Sequence, residues 1–118
     1  MSNAAKAYAK TAQTTASPRE IEAQALLKAA NQLQDVLNDT GERMQAALMF
    51  NRKLWSIFLS DALRDENPQP LEVRQNIANI GVFVMTQTAA LQLSPQPGHL
   101  QSLIDINRNI AAGLSGRA

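Results

Sequence analysis

Proline and glycine fall almost entirely between stretches of helix-forming residues, and this punctuation constrains the fold more than any other feature. Pro18, Gly41, Pro68 with Pro70, Pro95 with Pro97-Gly98, and Gly113 with Gly116 mark the boundaries. Between them lie four segments of helical length rich in Ala, Leu, Gln, Glu and Arg. There is no Asn-Gly or Asp-Gly hairpin turn and no sustained period-two alternation. The pattern predicts an all-α chain of four main helices near 18–38, 42–66, 70–93 and 99–114. Short connections favour antiparallel neighbours, so an up-down-up-down bundle is expected.

The first helix has a specified start. Ser17 can accept a bond from the Glu20 amide, Glu20 can reach back to Ser17, and Pro18 takes the first helical position, where no N–H is needed. Ala23, Leu26, Leu27, Ala30, Leu33 and Leu37 form its apolar stripe. Asn38-Asp39-Thr40-Gly41 is a turn that also offers a cap to the next helix.

The second segment carries Met44, Ala47, Leu48, Asn51, Leu54, Trp55, Phe58, Leu59 and Ala62 on one face, widened by Phe50 and Ile57. So wide an apolar arc packs against more than one neighbour, which makes this the central helix. Asn51 interrupts the stripe. It is either a buried amide capping a neighbouring helix end or a hydrogen-bond donor facing a bound peptide.

In the third segment Leu71, Arg74, Ile77, Ile80, Gly81, Val84, Thr88 and Leu91 share a face. Ile80 to Met85 alone resembles a strand, but no turn signal interrupts Pro70 to Pro95, and length decides for helix. Gly81 inside a helix costs about 1 kcal/mol relative to Ala, which close approach of Trp55 would explain. The fourth segment has Leu100, Leu103, Ile104, Asn107, Ile110 and Leu114 as its stripe.

Residues 1–16 read as an arm outside a bundle domain of residues 17–115. The arm is mobile or partly helical over Ala4 to Gln13, with Tyr8 as its aromatic and too little apolar area to fold alone.

At 118 residues the chain is one domain. It has no cysteine, hence no disulfide framework and no thiolate chemistry. His99 is the single histidine, so neither a zinc site nor a Cys/His pair is available from it. Asp61, Asp65 and Glu66 read as a solvated acidic helix end. No phosphate loop or dinucleotide fingerprint occurs, so neither an enzyme nor a cofactor is expected. Eleven Lys/Arg against ten Asp/Glu give a net charge of +1, too balanced for a protein that lives on phosphate contacts. Aromatics are 4% of residues and sit mostly in core-like positions, which also argues against direct RNA binding. No apolar run approaches the length of a membrane span, and nothing predicts insertion.

Thr15-Ala16-Ser17-Pro18 with Ile21, preceded by Tyr8, resembles the opening of flagellin export chaperones of the FliS type. A resemblance to the FlaF family of alphaproteobacterial flagellar regulators covers nearly the whole chain. Asn51-Arg52-Lys53-Leu54-Trp55 is similar to its N-x-x-L-W motif, and Asn76-Ile77-Ala78-Asn79-Ile80-Gly81-Val82-Phe83-Val84 to its N-I-x-x-I-G-x-x-V signature. Ile104 to Leu114 is similar to its I-x-I-N-R-x-I-A-x-G-L ending.

The resemblance implies a cytoplasmic, non-enzymatic protein that promotes flagellin synthesis and export, alongside the regulator FlbT. The expected function is a flagellin-binding export chaperone. The alternatives are a post-transcriptional regulator acting through FlbT or flagellin messenger RNA, and a structural adaptor. Tyr8 and the motif residues Asn51, Trp55, Asn76, Ile80 and Asn107 form the candidate partner-binding set. The arm around Tyr8 is expected to cover an apolar groove of the free protein.

Overall fold

The computed structural model describes residues 17–39 and 41–116. Among the described residues four α-helices follow in order: α1 (Pro18–Asp35), α2 (Glu42–Ala62), α3 (Leu71–Leu93) and α4 (Pro97–Leu114). There is no strand among the described residues. Expectations about the arm and Tyr8 fall outside those residues.

The helices pack as two intimate pairs, α1 with α4 and α2 with α3, while α1 meets α2 less extensively and α3 barely touches α4. The start of α1, the end of α2, the start of α3 and the end of α4 come together at one end of the molecule, as an up-down-up-down path requires. The core is continuous through Leu26, Leu33, Met44, Leu48, Trp55, Val84, Leu91, Leu103 and Ile104.

Half of the reciprocal cap expected at the first boundary forms. Ser17 Oγ accepts from the Glu20 amide at 3.2 Å, and Pro18 opens the helix. Three boundaries shift. Helix α1 ends at Asp35, in a turn held by Val36 and Leu37 amides donating to the carbonyls of Leu33 and Gln34. Helix α4 begins at Pro97, because proline suits a first turn. Helix α2 ends at Ala62, not near Glu66.

The end of α2 is fixed from outside. The Arg74 guanidinium, on α3, donates to the Ala62 carbonyl at 2.9 Å and to the Arg64 carbonyl at 2.6 Å. Asn67 Nδ2 donates to the Asp61 carbonyl at 2.9 Å. The Arg74 bond satisfies the Ala62 carbonyl, which the finished helix leaves without a backbone partner, and the other bonds reinforce carbonyls that backbone amides also reach. Arg74, expected on the apolar face of α3, serves there as the cap of its neighbour.

At the start of α2 the N-cap is Gly41, with no side-chain bond to the helix; Asp39 instead pairs with Arg43 at 3.0 Å. Leu27 and Ile57, both expected in the core, are exposed. Helix α1 leans chiefly on α4, which leaves Leu27, on the flank of that contact, partly open to water. Ile57 lies on the side of α2 away from α3. Phe50 is half-buried, with the Lys28 ammonium 5.4 Å from its ring centroid.

Candidate partner-binding groove

Where the four helix ends meet, they enclose a cleft of about 450 Å³. Its floor is apolar. Trp55 and Phe58 of α2 pack edge to face, with ring centroids 5.6 Å apart and planes at 86°. Leu26, Ile77, Ile110 and Leu114 complete the walls. The rim is polar and braced: Arg19 Nη2 donates to Gln69 Oε1 at 2.8 Å, and the Gln69 amide donates to Asn67 Oδ1 at 2.9 Å. Arg74, already holding the end of α2, forms part of the same rim.

A second, shallower hollow of about 400 Å³ lies between α3 and α4, lined by Asn79, Ile80, Phe83, Ile106, Asn109 and Ile110. Asn109 and Ile110 line both spaces, so the cleft and the hollow adjoin across these two residues. The result is one apolar groove over the seam where α3 and α4 barely touch. Val73, Ile77, Ile80 and Phe83 line it at helical spacing from α3, and Ile106, Ile110 and Leu114 from α4. Phe83 is 52% exposed and Val73 40%, large apolar surfaces to leave to water.

Two carboxylates sit at the cleft. Burial raises the pKa of Glu22, the negative charge of Asp61 raises it further, and Arg19 pulls the other way. A raised value means the folded chain holds the Glu22 proton more tightly than the unfolded chain. Its ionisation therefore weakens the fold as pH rises through the raised value. Glu22→Gln is expected to raise the melting temperature at pH 7, with the difference from the parent vanishing below about pH 4. Thermal unfolding of both proteins across that range checks it.

The candidate residues read from the sequence divide sharply. Asn51, Trp55 and Asn107 are fully buried and bonded to one another. Trp55 Nε1 donates to Asn107 Oδ1 at 2.8 Å, and Asn107 Nδ2 donates to Asn51 Oδ1 at 2.7 Å. Asn51 Nδ2 reaches Thr88 Oγ1 at 3.4 Å, and the Thr88 hydroxyl donates to the Val84 carbonyl at 2.6 Å. The network joins α2, α3 and α4 through the centre. Asn51 therefore neither caps a helix end nor faces a partner, and in the folded chain these three residues present no polar group outward. The Trp55 ring lies directly beneath the cleft floor, itself out of reach of solvent.

Ile80 lies in the groove, and Asn76 is exposed on α3 outside the groove lining. Sequence reading missed Phe58, Phe83, Ile106 and Ile110 as groove residues. Phe83 and Ile106 flank the main stripes of α3 and α4, whereas Phe58 and Ile110 stand on the stripes of α2 and α4 themselves and carried no separate signal. His99 stands in the first turn of α4, at the end away from the cleft. No group of three or more His, Asp or Glu that could hold a metal ion occurs among the described residues. Among them, too, no helix is long and apolar enough to cross a membrane.

A family model described as flagellar protein FlaF matches residues 4–114. The chain belongs to the FlaF family. All three motifs that suggested it fall inside the match. In this FlaF-family chain they supply both the buried network, through Asn51, Trp55 and Asn107, and residues on both sides of the groove, through Ile77 and Ile80 on α3 and Ile106 and Ile110 on α4. No curated protein matches the chain, and neither does any solved structure.

Proposed function

We propose that this FlaF-family chain is a flagellin-binding export chaperone and, through that binding, a positive regulator of flagellin synthesis. It acts in the cytoplasm and without catalysis. The observation that carries the reading is the apolar groove over the α3–α4 seam, adjoining at one end the cleft that lies over Trp55 and Phe58. An amphipathic helix laid in such a groove buries its apolar face at i, i+3, i+4 and i+7. A flagellin end held there is kept from premature polymerisation and from proteolysis. The regulatory effect follows by titration of free flagellin or of FlbT.

The test is a binding titration of a flagellin terminal peptide against the parent and against Phe83→Glu. Phe83 is exposed, so the variant keeps its fold, which circular dichroism checks. A charge in the groove is expected to weaken binding at least tenfold, about 1.4 kcal/mol or more. Leu93→Glu, at the far end of α3 and outside the groove lining, leaves affinity unchanged. Absence of binding to any flagellin segment sinks the chaperone reading. A salt-dependent shift of flagellin leader RNA by the purified protein turns the choice toward the regulator acting on the message. The same titration with residues 1–16 removed reads whether Tyr8 takes part.

A further inference from the structure

Helix α3 is apolar on more faces than the other described residues cover. From Gln75 to Leu93 it carries no charged residue, although it lies at the surface. A surface helix ordinarily turns a charged face to water. One face of α3 packs on α2 through Gly81 and Thr88, and the next supplies Val84 to the core and Ile80 to the groove. The flank on the other side of α2 still shows Leu71, Val82 and Leu93, exposed by 62%, 57% and 89%.

These three recur every eleven residues, about three helical turns, so they stand in one line. Small residues, Ala78 and Ala89, recur at the same spacing between them. Helix α2 extends the surface. Gln45 bonds to the Gln92 carbonyl near one end of the pair and Arg74 to the Ala62 carbonyl near the other, which sets Ser56 level with Val82. Met49 and Leu63, both exposed, lie seven residues to either side of Ser56.

We propose that this outer face of the α2–α3 hairpin binds the same face of a second copy of this chain, antiparallel, about a two-fold axis passing near Val82. The pattern is self-complementary, as an isologous interface requires. With Val82 over Val82, Leu71 of each copy meets Leu93 of the other, and Met49 meets Leu63. Arg52, held by Gln92 Oε1 at 3.1 Å, falls opposite Ser60 and not opposite its own copy. Like charges therefore do not meet across the axis. Ala78, Ala89 and Ser56 let the backbones approach. A face two helices wide and one helix long covers about 600–700 Å² per copy, close to the ~800 Å² of a standard stable interface. This face lies on the opposite flank of α3 from the groove, so the pairing is independent of flagellin binding.

The chain has no cysteine, which allows clean cross-linking of the full-length protein. Sedimentation at tens of micromolar is expected to give a dimer. Val82→Glu is expected to raise the dimer dissociation constant at least tenfold while the circular dichroism spectrum stays the same. Under mild oxidation Val82→Cys links to itself. Leu71→Cys links to Leu93→Cys when the two are mixed, far better than either links to itself. A monomer throughout, or a dimer that Val82→Glu leaves intact, overturns the proposal, as does preferential self-linking of Leu71→Cys.

Discussion

Trp55→Ala is expected to be the most damaging single substitution in the described chain, costing about 3–5 kcal/mol. Two losses combine. The indole is fully buried and packs edge to face on Phe58, so its removal opens a large cavity in the centre of the core. It also removes the donor that satisfies Asn107 Oδ1, in a place water does not reach. Against a total stability of about 5–15 kcal/mol for an ordinary domain, this is a large fraction of the margin. Trp55→Phe separates the two losses, because it keeps most of the packing and abolishes only the hydrogen bond. It is expected to cost about 1–3 kcal/mol. Denaturant unfolding of the three proteins checks both figures. A loss below about 1 kcal/mol for Trp55→Ala contradicts the central placement of the indole.

Gly81 is expected to respond in opposite senses to a small and a large replacement. A β-carbon added there meets Leu59 Cβ and Cδ1 at 3.5 Å and Trp55 Cε3 at 3.6 Å, which is ordinary contact. Gly81→Ala therefore fits, and recovers about 0.5–1 kcal/mol of the helix cost of glycine. Gly81→Leu sends three further carbons into the space held by Leu59 and Trp55 and is expected to cost about 1–3 kcal/mol. Melting temperatures above the parent for alanine and below it for leucine are the predicted pair. A stabilised Gly81→Leu rules out close packing at this point.

The helices were legible in the sequence because their boundaries are chemical. Pro18 behind Ser17, Gly41, and the Pro68–Pro70 and Pro95–Pro97 clusters each interrupt the backbone ladder for a reason local to a few residues. The close approach at Gly81 was legible for the same kind of reason, since glycine inside a long helix needs a neighbour to explain it. Helix ends controlled from a distance were not legible. Nothing within the second helix announces that Arg74, on another element, will hold the Ala62 carbonyl.

The buried network was hidden for a related reason. Asn51 and Asn107 each interrupt an apolar stripe, but the bond between them spans more than fifty residues of chain and depends on which helices face one another. The groove was the least legible feature. Its walls come from several helices, and its most exposed large apolar residue, Phe83, is one more apolar position in a helix that already had its core stripe. The exposure of Leu27 and Ile57 shows the reverse case. A stripe tells how much of a helix can be covered, while its neighbours decide how much is.

The buried chain of amides gives the bundle a single address for α4. An apolar helix sliding by one turn against apolar neighbours exchanges one leucine for another at small cost. Here the same slide carries Asn107 away from both Asn51 and Trp55, and strands an indole N–H and an amide oxygen without water. The penalty falls on the wrong alignment more heavily than the bonds favour the right one. Because Ile106 and Ile110 sit on the same turns as Asn107, the lock that fixes the helix also fixes the far wall of the groove, and any ligand measuring that width is measuring the register of α4.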